Sequence, residues 1–372
     1  MNDVKNRRVV LSAHPVGFPQ NTDFELIESS VPEPSDGEVL LKTLYLSLDP
    51  YMRGRISQAR SYAAGVEVGQ TMVGGTVSLV TASRNPKYQS GDIVLSYSGW
   101  QEYEVTSGQG LHKLDPDHGP NPISTALGVM GMPGMTAYVG LLDIGRPQTG
   151  DTVVVSSAAG AVGSVVGQIA KLHDCQTVGI AGTTDKCQYT IDEFGFDACI
   201  NYKDDDFSEQ LSRACPNGID IYFENVGGKV FDTAYNLMND SGRIPVCGMI
   251  SRYNDTSLPE GPDTLPRLMR AILTRRLLVQ GFIVTDHGAR LSTLFIRYVE
   301  LDKKREDSIP RRHYRGSGKC RACIPRFASR REYRQVSHPS ITGAVDRSVS
   351  DLSSSLCSAI LPINYKTLSS SC

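Results

Sequence analysis

A strand-like run, Thr152-Val153-Val154-Val155-Ser156, leads through Ser157 into Ala158-Ala159-Gly160-Ala161-Val162-Gly163. Apolar residues at Val165, Val166, Ile169, Ala170 and Leu172 then predict a helix over about 162–173. A second strand is expected at Thr177–Ala181. Strand, small-residue turn, helix and strand in this order form a dinucleotide-binding fingerprint, with Ala158 in the place of the first glycine. The physical demands explain the residue types. Gly160 must lack a side chain so that backbone can approach a pyrophosphate, and Gly163 lets helix and strand pack closely. The helix N-terminus presents unpaired N–H groups and a partial positive charge to phosphate.

The end of the second strand bears on the choice of cofactor. An enzyme using NAD places Asp or Glu there to bind the ribose hydroxyls. Here the strand runs into Ala181-Gly182-Thr183-Thr184-Asp185-Lys186. Its end has no acid, and Lys186 with the two threonines can meet a 2′-phosphate, which points to NADP. Asp185 is expected to cap the following helix.

Around this unit the chain changes rhythm. Residues 1–130 read as β-rich, with short apolar runs at Val39–Leu44, Met72–Val77 and Ile93–Tyr97. Turn-forming clusters such as Pro32-Glu33-Pro34-Ser35-Asp36-Gly37 separate them, so a barrel-like β domain is expected. Residues 131–300 alternate strand and helix, with further strands at Ile219–Phe223 and Arg243–Cys247. That alternation predicts a doubly wound parallel sheet, a Rossmann domain.

Net charge is −2 over 372 residues, so nothing draws the whole chain to nucleic acid or to an anionic membrane. No apolar run approaches the roughly 20 residues of a membrane helix, and Met1–Val10 lacks the apolar stretch of a signal peptide. Cys175, Cys187, Cys199, Cys215 and Cys247 stand singly, at spacings that suit neither a metal cage nor a disulfide framework. They read as small apolar fillers of a cytoplasmic protein.

No metal site is expected either. Cysteine is absent before Cys175, and the first domain's histidines, His14, His112 and His118, have no second ligand at coordinating spacing. The turn Gly74-Gly75-Thr76 stands where a zinc alcohol dehydrogenase puts a His-Glu pair. Without a Lewis acid, the expected chemistry is hydride addition to an activated alkene rather than alcohol oxidation.

Several further motifs stand beside the fingerprint. They are Leu48-Asp49-Pro50-Tyr51-Met52-Arg53, Gly131-Met132-Pro133-Gly134-Met135-Thr136-Ala137-Tyr138, Phe223-Glu224-Asn225-Val226-Gly227-Gly228, Cys247-Gly248-Met249-Ile250-Ser251 with Tyr253-Asn254, and Gly281-Phe282-Ile283-Val284. Together they resemble the leukotriene B4 dehydrogenase/prostaglandin reductase family of zinc-free medium-chain dehydrogenases/reductases. Asn6–Leu11 and Tyr97-Ser98-Gly99-Trp100 bring the chain nearest the bacterial members. The resemblance covers roughly residues 6–300. It implies a GroES-like β-barrel domain packed on a Rossmann domain, a homodimer, and NADPH-dependent reduction of the C=C bond of enones. It also implies the cofactor residues Gly160, Ala161, Val162, Gly163, Ser164, Lys186, Tyr202, Asn225, Cys247, Gly248, Met249, Ile250, Ser251, Tyr253, Phe282, Ile283 and Val284. Hydride addition to the β carbon leaves an enolate, whose oxygen needs hydrogen-bond donors. Tyr253 is the first candidate; Tyr51 and Tyr62 are candidate pocket residues, or equally amphipathic fillers. An NADPH quinone reductase and a non-catalytic NADPH sensor share the nucleotide motif and stand as alternatives.

The family-like pattern stops near Tyr298-Val299-Glu300. From Leu301 onward there are 14 Lys and Arg against 6 Asp and Glu, whereas the residues before carry 24 against 34. Residues 301–372 are Arg-rich and then Ser-rich, and the family's Gly-x-Asn-x-Gly-Lys stretch, whose asparagine binds NADP, is absent. This segment is expected to be frame-shifted or otherwise replaced. Cys320 and Cys323 have metal-pair spacing without a second pair nearby.

Overall fold

The computed structural model describes residues 4–115 and 123–290; the segment 301–372 and its expected replacement lie outside the described residues. The described chain forms two compact units. The first comprises the residues up to Leu127 together with Ile250–Glu260; the second comprises Gly128–Met249 and resumes at Gly261.

In the first unit, β1 (Lys5–Leu11) and β2 (Phe24–Ser30) form an antiparallel ribbon. A five-stranded antiparallel sheet holds β3 (Val39–Leu46), β4 (Thr76–Ser83), β5 (Ile93–Ser96), β6 (Tyr103–Thr106) and β7 (His112–Leu114), in the order β6-β3-β4-β5-β7. Isolated bridges Arg8↔Gln101 and Val10↔Thr71 tie β1 to the segments flanking that sheet. Strand alternation separates the cores. Val39, Leu41, Val80 and Val94 form one cluster, and Val77 packs with Ala126 and Leu127 in another. A third cluster gathers Leu11, Met52, Ile56, Val66, Met72 and Trp100 around α1 (Tyr51–Arg55).

The apolar run at Met72–Val77 is only partly strand, since β4 begins at Thr76. The glycines explain the difference. A Cβ on Gly74 would stand 2.8 Å from Leu46 Cδ1 and 3.1 Å from Met52 Cε. This stretch therefore packs closely as core filler, and the ladder starts where side chains resume.

The second unit is a six-stranded, all-parallel sheet with strands β8 (Thr152–Ser156), β9 (Gln176–Ala181), β10 (Ala198–Asn201), β11 (Ile219–Phe223), β12 (Met238–Val246) and β13 (Leu278–Gly281). The order is β10-β9-β8-β11-β12-β13, so the chain runs outward one way from β8 and then the other way from β11. That reversal is the switch point at which open α/β sheets bind ligands. Helices α2 (Met132–Tyr138), α3 (Gly163–Leu172), α4 (Thr184–Phe194), α5 (Phe207–Ala214), α6 (Gly228–Asn236) and α7 (Leu265–Arg275) accompany the strands. Both faces of the sheet are covered. Val153 and Val155 point into the core with α2 and α3, while Val154 joins the core that includes α5 and α6. The strand expected from Arg243 starts earlier, at Met238, which pairs with Ile219; residues 239–242 form an irregularity before pairing resumes at Ile221↔Arg243.

Candidate functional site

Packing fixes the shape of the loop between β8 and α3. Ser157 holds a left-handed φ of 54°, and its carbonyl accepts from the Gly160 amide at 2.9 Å. A Cβ on Gly163 would lie 2.3 Å from that same carbonyl oxygen, and one on Gly160 would lie 2.9 Å from Ser157 Oγ. Backbone therefore demands glycine at 163 even before a phosphate arrives, while position 160 is tight but faces a rotatable hydroxyl. Ala158 is fully buried, and a Cβ on Gly179 of the neighbouring strand would meet its methyl at 2.8 Å. The methyl that replaces the first fingerprint glycine is thus accommodated by a glycine on β9, a compensation the linear motif does not reveal. Ala161 is exposed and Val162 half-buried, while Ser164, inside α3, is buried and donates its amide to Gly160.

At the end of β9, Thr183 rather than Asp185 caps α4. Thr183 has extended backbone angles (φ −151°, ψ 154°) and its Oγ accepts from the Lys186 amide at 3.2 Å. Asp185 already lies in the first helical turn, where its side chain is past the capping position. The Thr183 hydroxyl proton remains available to donate. Lys186 follows in the same turn, where the helix dipole disfavours a cation unless an anion sits beside it. Tyr202 completes the group. Its amide donates to Ala181 at 3.0 Å, and its ring would meet a Cβ on Gly182 at 3.1 Å.

The ends of β8, β11 and β12 converge on Glu224, a residue of the Phe223–Gly228 motif whose role does not show in the sequence. Glu224 is 1 % exposed. Its Oε1 accepts from the Val226 and Gly227 amides, and its Oε2 from the Tyr222 hydroxyl at 2.8 Å. Its carbonyl accepts from Cys247 at 2.9 Å and Gly248 at 3.1 Å. Burial raises its pKa above the usual carboxylate range, against the amide, Tyr222 and Ser156 hydrogen bonds. Asn225 is held next to it. Its amide donates to Ser156 Oγ and its Nδ2 to the Ser156 carbonyl, both at 2.8 Å. Burial, and then the Glu224 charge, push the Cys247 thiol up to about 12, which marks it as an unreactive wall residue. Phe282 meets Phe223 edge-on with ring centroids 6.4 Å apart, and Val284 packs on the same core; Ile283 is half-buried. The signal that points to Glu224 is a carboxylate directly after an apolar strand and before Asn-Val-Gly-Gly.

The segment Cys247–Tyr253 leaves the second unit at Met249 and enters the first at Ile250. Met249 and Ser251 are exposed, Ile250 begins a short 3-10 turn, and Tyr253 donates its amide to Ile250 at 3.4 Å. Within the first unit, Arg53 is buried on α1. Its Nε donates to Asn254 Oδ1 at 2.8 Å, and its Nη2 to the Gly17 carbonyl at 2.7 Å. This arginine, another residue that had no role assigned, anchors the Tyr253-Asn254 loop to the helix that begins with Tyr51. Burial first, then the Asp49 charge and the neighbouring Tyr97 and Tyr62, raises the Tyr51 pKa far above its ordinary value. Its hydroxyl therefore stays protonated and able to donate. Tyr62 is 60 % exposed.

Among the described residues no group of three or more His, Cys, Asp or Glu is placed to hold a metal ion. His14 Nδ1 lies 3.1 Å from the Ile56 carbonyl. Thr76, after the Gly74-Gly75 turn, shares a buried hydroxyl network with Ser96 (2.6 Å) and Ser78. These residues do not fit a zinc ion.

A doubly wound parallel sheet with a phosphate-type loop at its switch point, following an antiparallel β unit, defines a two-domain dinucleotide-dependent oxidoreductase. Residues 7–114 match the family model described as the N-terminal domain of oxidoreductase, and 161–297 match that described as zinc-binding dehydrogenase. The chain is 57 % identical to NADPH-dependent curcumin reductase of Escherichia coli (strain K12), over 77 % of this chain and 83 % of that protein. It is 45 % identical to prostaglandin reductase 1 of Bos taurus, over 74 % of this chain and 80 % of the relative. The crystal structure of CurA in complex with NADPH from Vibrio vulnificus superposes with a TM-score of 0.76 at 52 % identity, covering 81 % of this chain and 88 % of that one. The chain belongs to the medium-chain dehydrogenase/reductase family, in the branch that contains the prostaglandin reductases.

Proposed function

We propose that this protein uses NADPH to reduce the carbon–carbon double bond of α,β-unsaturated ketones, with hydride added at the β carbon. The observation that carries the cofactor choice is the end of β9, where an acid is missing and Thr183, Lys186 and the N-terminus of α4 come together. The reaction class is supported by the relatives, which are named for the reduction of curcumin and prostaglandins. The residues fit NADPH. Gly160–Ser164 would receive the pyrophosphate, Lys186 with Thr183 and Tyr202 the 2′-phosphate, and Asn225, Cys247–Tyr253 and Phe282–Val284 the nicotinamide half. When bound, that cofactor supplies the hydride.

The chain's own residues orient the enone and stabilise the negative charge that develops on its oxygen. Tyr253 is the leading donor, held in place through Arg53 and Asn254, with Tyr51 and Tyr62 as pocket residues. The homodimer reading is supported by an apolar stripe on α7, where Leu265, Met269 and Leu273 are exposed, and by exposed Leu278 and Val279 on β13, the edge strand among the described residues. No helix among the described residues is long and apolar enough to cross a membrane, and the described cysteines are all free thiols. A cytoplasmic location fits both.

Two measurements test the reading. NADPH deuterated at the transferred position should label the β carbon of the saturated ketone; label at the carbonyl carbon would mean alcohol formation and overturn it. Quinone turnover without enone turnover would favour a quinone reductase, and binding without either would favour a sensor. Separately, Lys186→Ala should raise the KM for NADPH about tenfold or more while leaving NADH almost unaffected, because a charge-assisted hydrogen bond contributes about 1.5–3 kcal/mol. Equal effects on the two cofactors would remove Lys186 from the 2′-phosphate site.

A further inference from the structure

Glu224 follows β11 and bonds to three stretches of chain at once. Its main chain holds the end of β12: its amide donates to the Pro245 carbonyl at 3.0 Å, and its carbonyl accepts from the Cys247 and Gly248 amides. Its buried side chain ties the loop that follows. Oε1 accepts from the Val226 amide and, at 2.9 Å, from the Gly227 amide, while Oε2 accepts from the Tyr222 hydroxyl at 2.8 Å. The Ser156 hydroxyl, at the end of β8, lies 3.3 Å from Oε1 and 3.1 Å from the Phe223 carbonyl, so its one proton is shared between them. The same hydroxyl oxygen accepts from the Asn225 amide at 2.8 Å, and the Ser156 carbonyl accepts from Asn225 Nδ2 at 2.8 Å. Asn225 is therefore bracketed by Glu224 on one side and Ser156 on the other.

We propose that Glu224 is a positioning residue, whose side chain, acting with Ser156, fixes Asn225 for the nicotinamide half of the cofactor; this rests on the cofactor reading above. The turn after Asn225 needs such a tie. Gly227 and Gly228 have φ of 80° and 58°, and two glycines in succession leave a turn loose because no side chain of their own restricts it. The carboxylate supplies the restriction by taking the Val226 and Gly227 amides on one oxygen. Stability alone does not call for this residue type. A buried carboxylate carries a desolvation cost, and an apolar side chain of similar volume is often as stable or more so. What the carboxylate adds is a single geometry for the loop. Its partners are neutral amides and hydroxyls, so the task is one of shape and hydrogen bonding rather than of charge. Substitution at 224 leaves the main-chain bonds to Pro245, Cys247 and Gly248 possible, so loss of the side chain acts first on Asn225 and its turn.

The test compares two ligands by calorimetry on the full chain: NADPH, and adenosine 2′,5′-bisphosphate, which lacks the nicotinamide half. In Glu224→Ala the Kd for NADPH should rise about tenfold, the effect of one or two net hydrogen bonds, while the Kd for adenosine 2′,5′-bisphosphate stays at the parent value. A merely structural role would weaken both ligands together. Glu224→Gln can turn its oxygen to the two amides and its NH2 group to the Tyr222 oxygen, so it should recover most of the lost NADPH affinity. Ser156→Ala removes the hydroxyl that accepts from Asn225 and should show the same selective loss; it decides the matter if Glu224→Ala does not fold. Equal losses for the two ligands, no loss of NADPH affinity in the folded variants, or a Glu224→Gln variant as weak as Glu224→Ala would overturn the proposal. Failure of the parent chain to bind NADPH would overturn the cofactor reading and this proposal with it, and would show before any variant is compared.

Discussion

Asp49 shows what one buried group does to this protein. It is 7 % exposed, beside Pro50 at the start of α1, and burial raises its pKa to about 6 against a single helpful hydrogen bond from Ser47. A carboxyl group whose folded pKa is raised favours the fold while protonated. Its contribution is complete below the unfolded value near 3.8 and is lost as pH rises through about 6. Asp49→Asn keeps the neutral shape and removes that loss. The variant should match the parent in stability near pH 3 and exceed it by about 3 kcal/mol near pH 7, the order implied by a shift of about two units. Urea unfolding at the two pH values measures this; a variant less stable at neutral pH would mean that the ionised carboxylate has a partner. The same residue scale separates what spacing reveals from what it hides. The tight packing at Gly160 and Gly163 was legible because a glycine turn between strand and helix answers a local demand of backbone approach. Glu224 and Arg53 were not, because their roles are to bond to β8 and to the Tyr253-Asn254 loop, distant in sequence.

At the scale of elements, the β8 to α3 connection is tightly specified by packing. Ser157 adopts a left-handed turn so that its carbonyl can face the helix start, and Gly163 leaves no room for a methyl there. Gly163→Ala forces the loop or the helix to move. Thermodynamic stability should fall by about 2 kcal/mol, the usual cost of overpacking a closed site, with a larger proportional loss of NADPH affinity. An unchanged unfolding midpoint would show that the loop relaxes freely. Element boundaries were legible where apolar periodicity and capping agree, as for β8 and β11. They shifted at β4, where two glycines pack as core, and at β12, where a Met238–Ile219 pair precedes an irregularity over residues 239–242. The capping residue of α4 also differed from expectation, since Thr183 has the extended backbone that capping needs and Asp185 does not.

For the whole molecule, the described residues form two units: Gly160 and Gly163 lie in one, and Tyr51, Tyr62 and Tyr253 in the other. The described residues hold hydroxyls at Thr76, Ser78 and Ser96 rather than a ligand set for zinc. Prolonged dialysis against a strong chelator should therefore leave both turnover and melting temperature unchanged. Loss of either, restored by added zinc, would require a metal site elsewhere in the chain.

What the sequence determined by itself is local and periodic. It specified the fold class, the strand–loop–helix unit around Gly160 and Gly163, and the lack of an acid at the end of β9, because each is written in neighbouring residues through backbone sterics, burial period and charge. Only the tertiary structure decided which distant groups meet. It paired the Ala158 methyl with Gly179, tied Asn254 to Arg53, and drew the ends of β8, β11 and β12 onto Glu224. The physical reason is that these contacts cross between parallel strands, or from strand to helix, where sequence separation carries no information about distance.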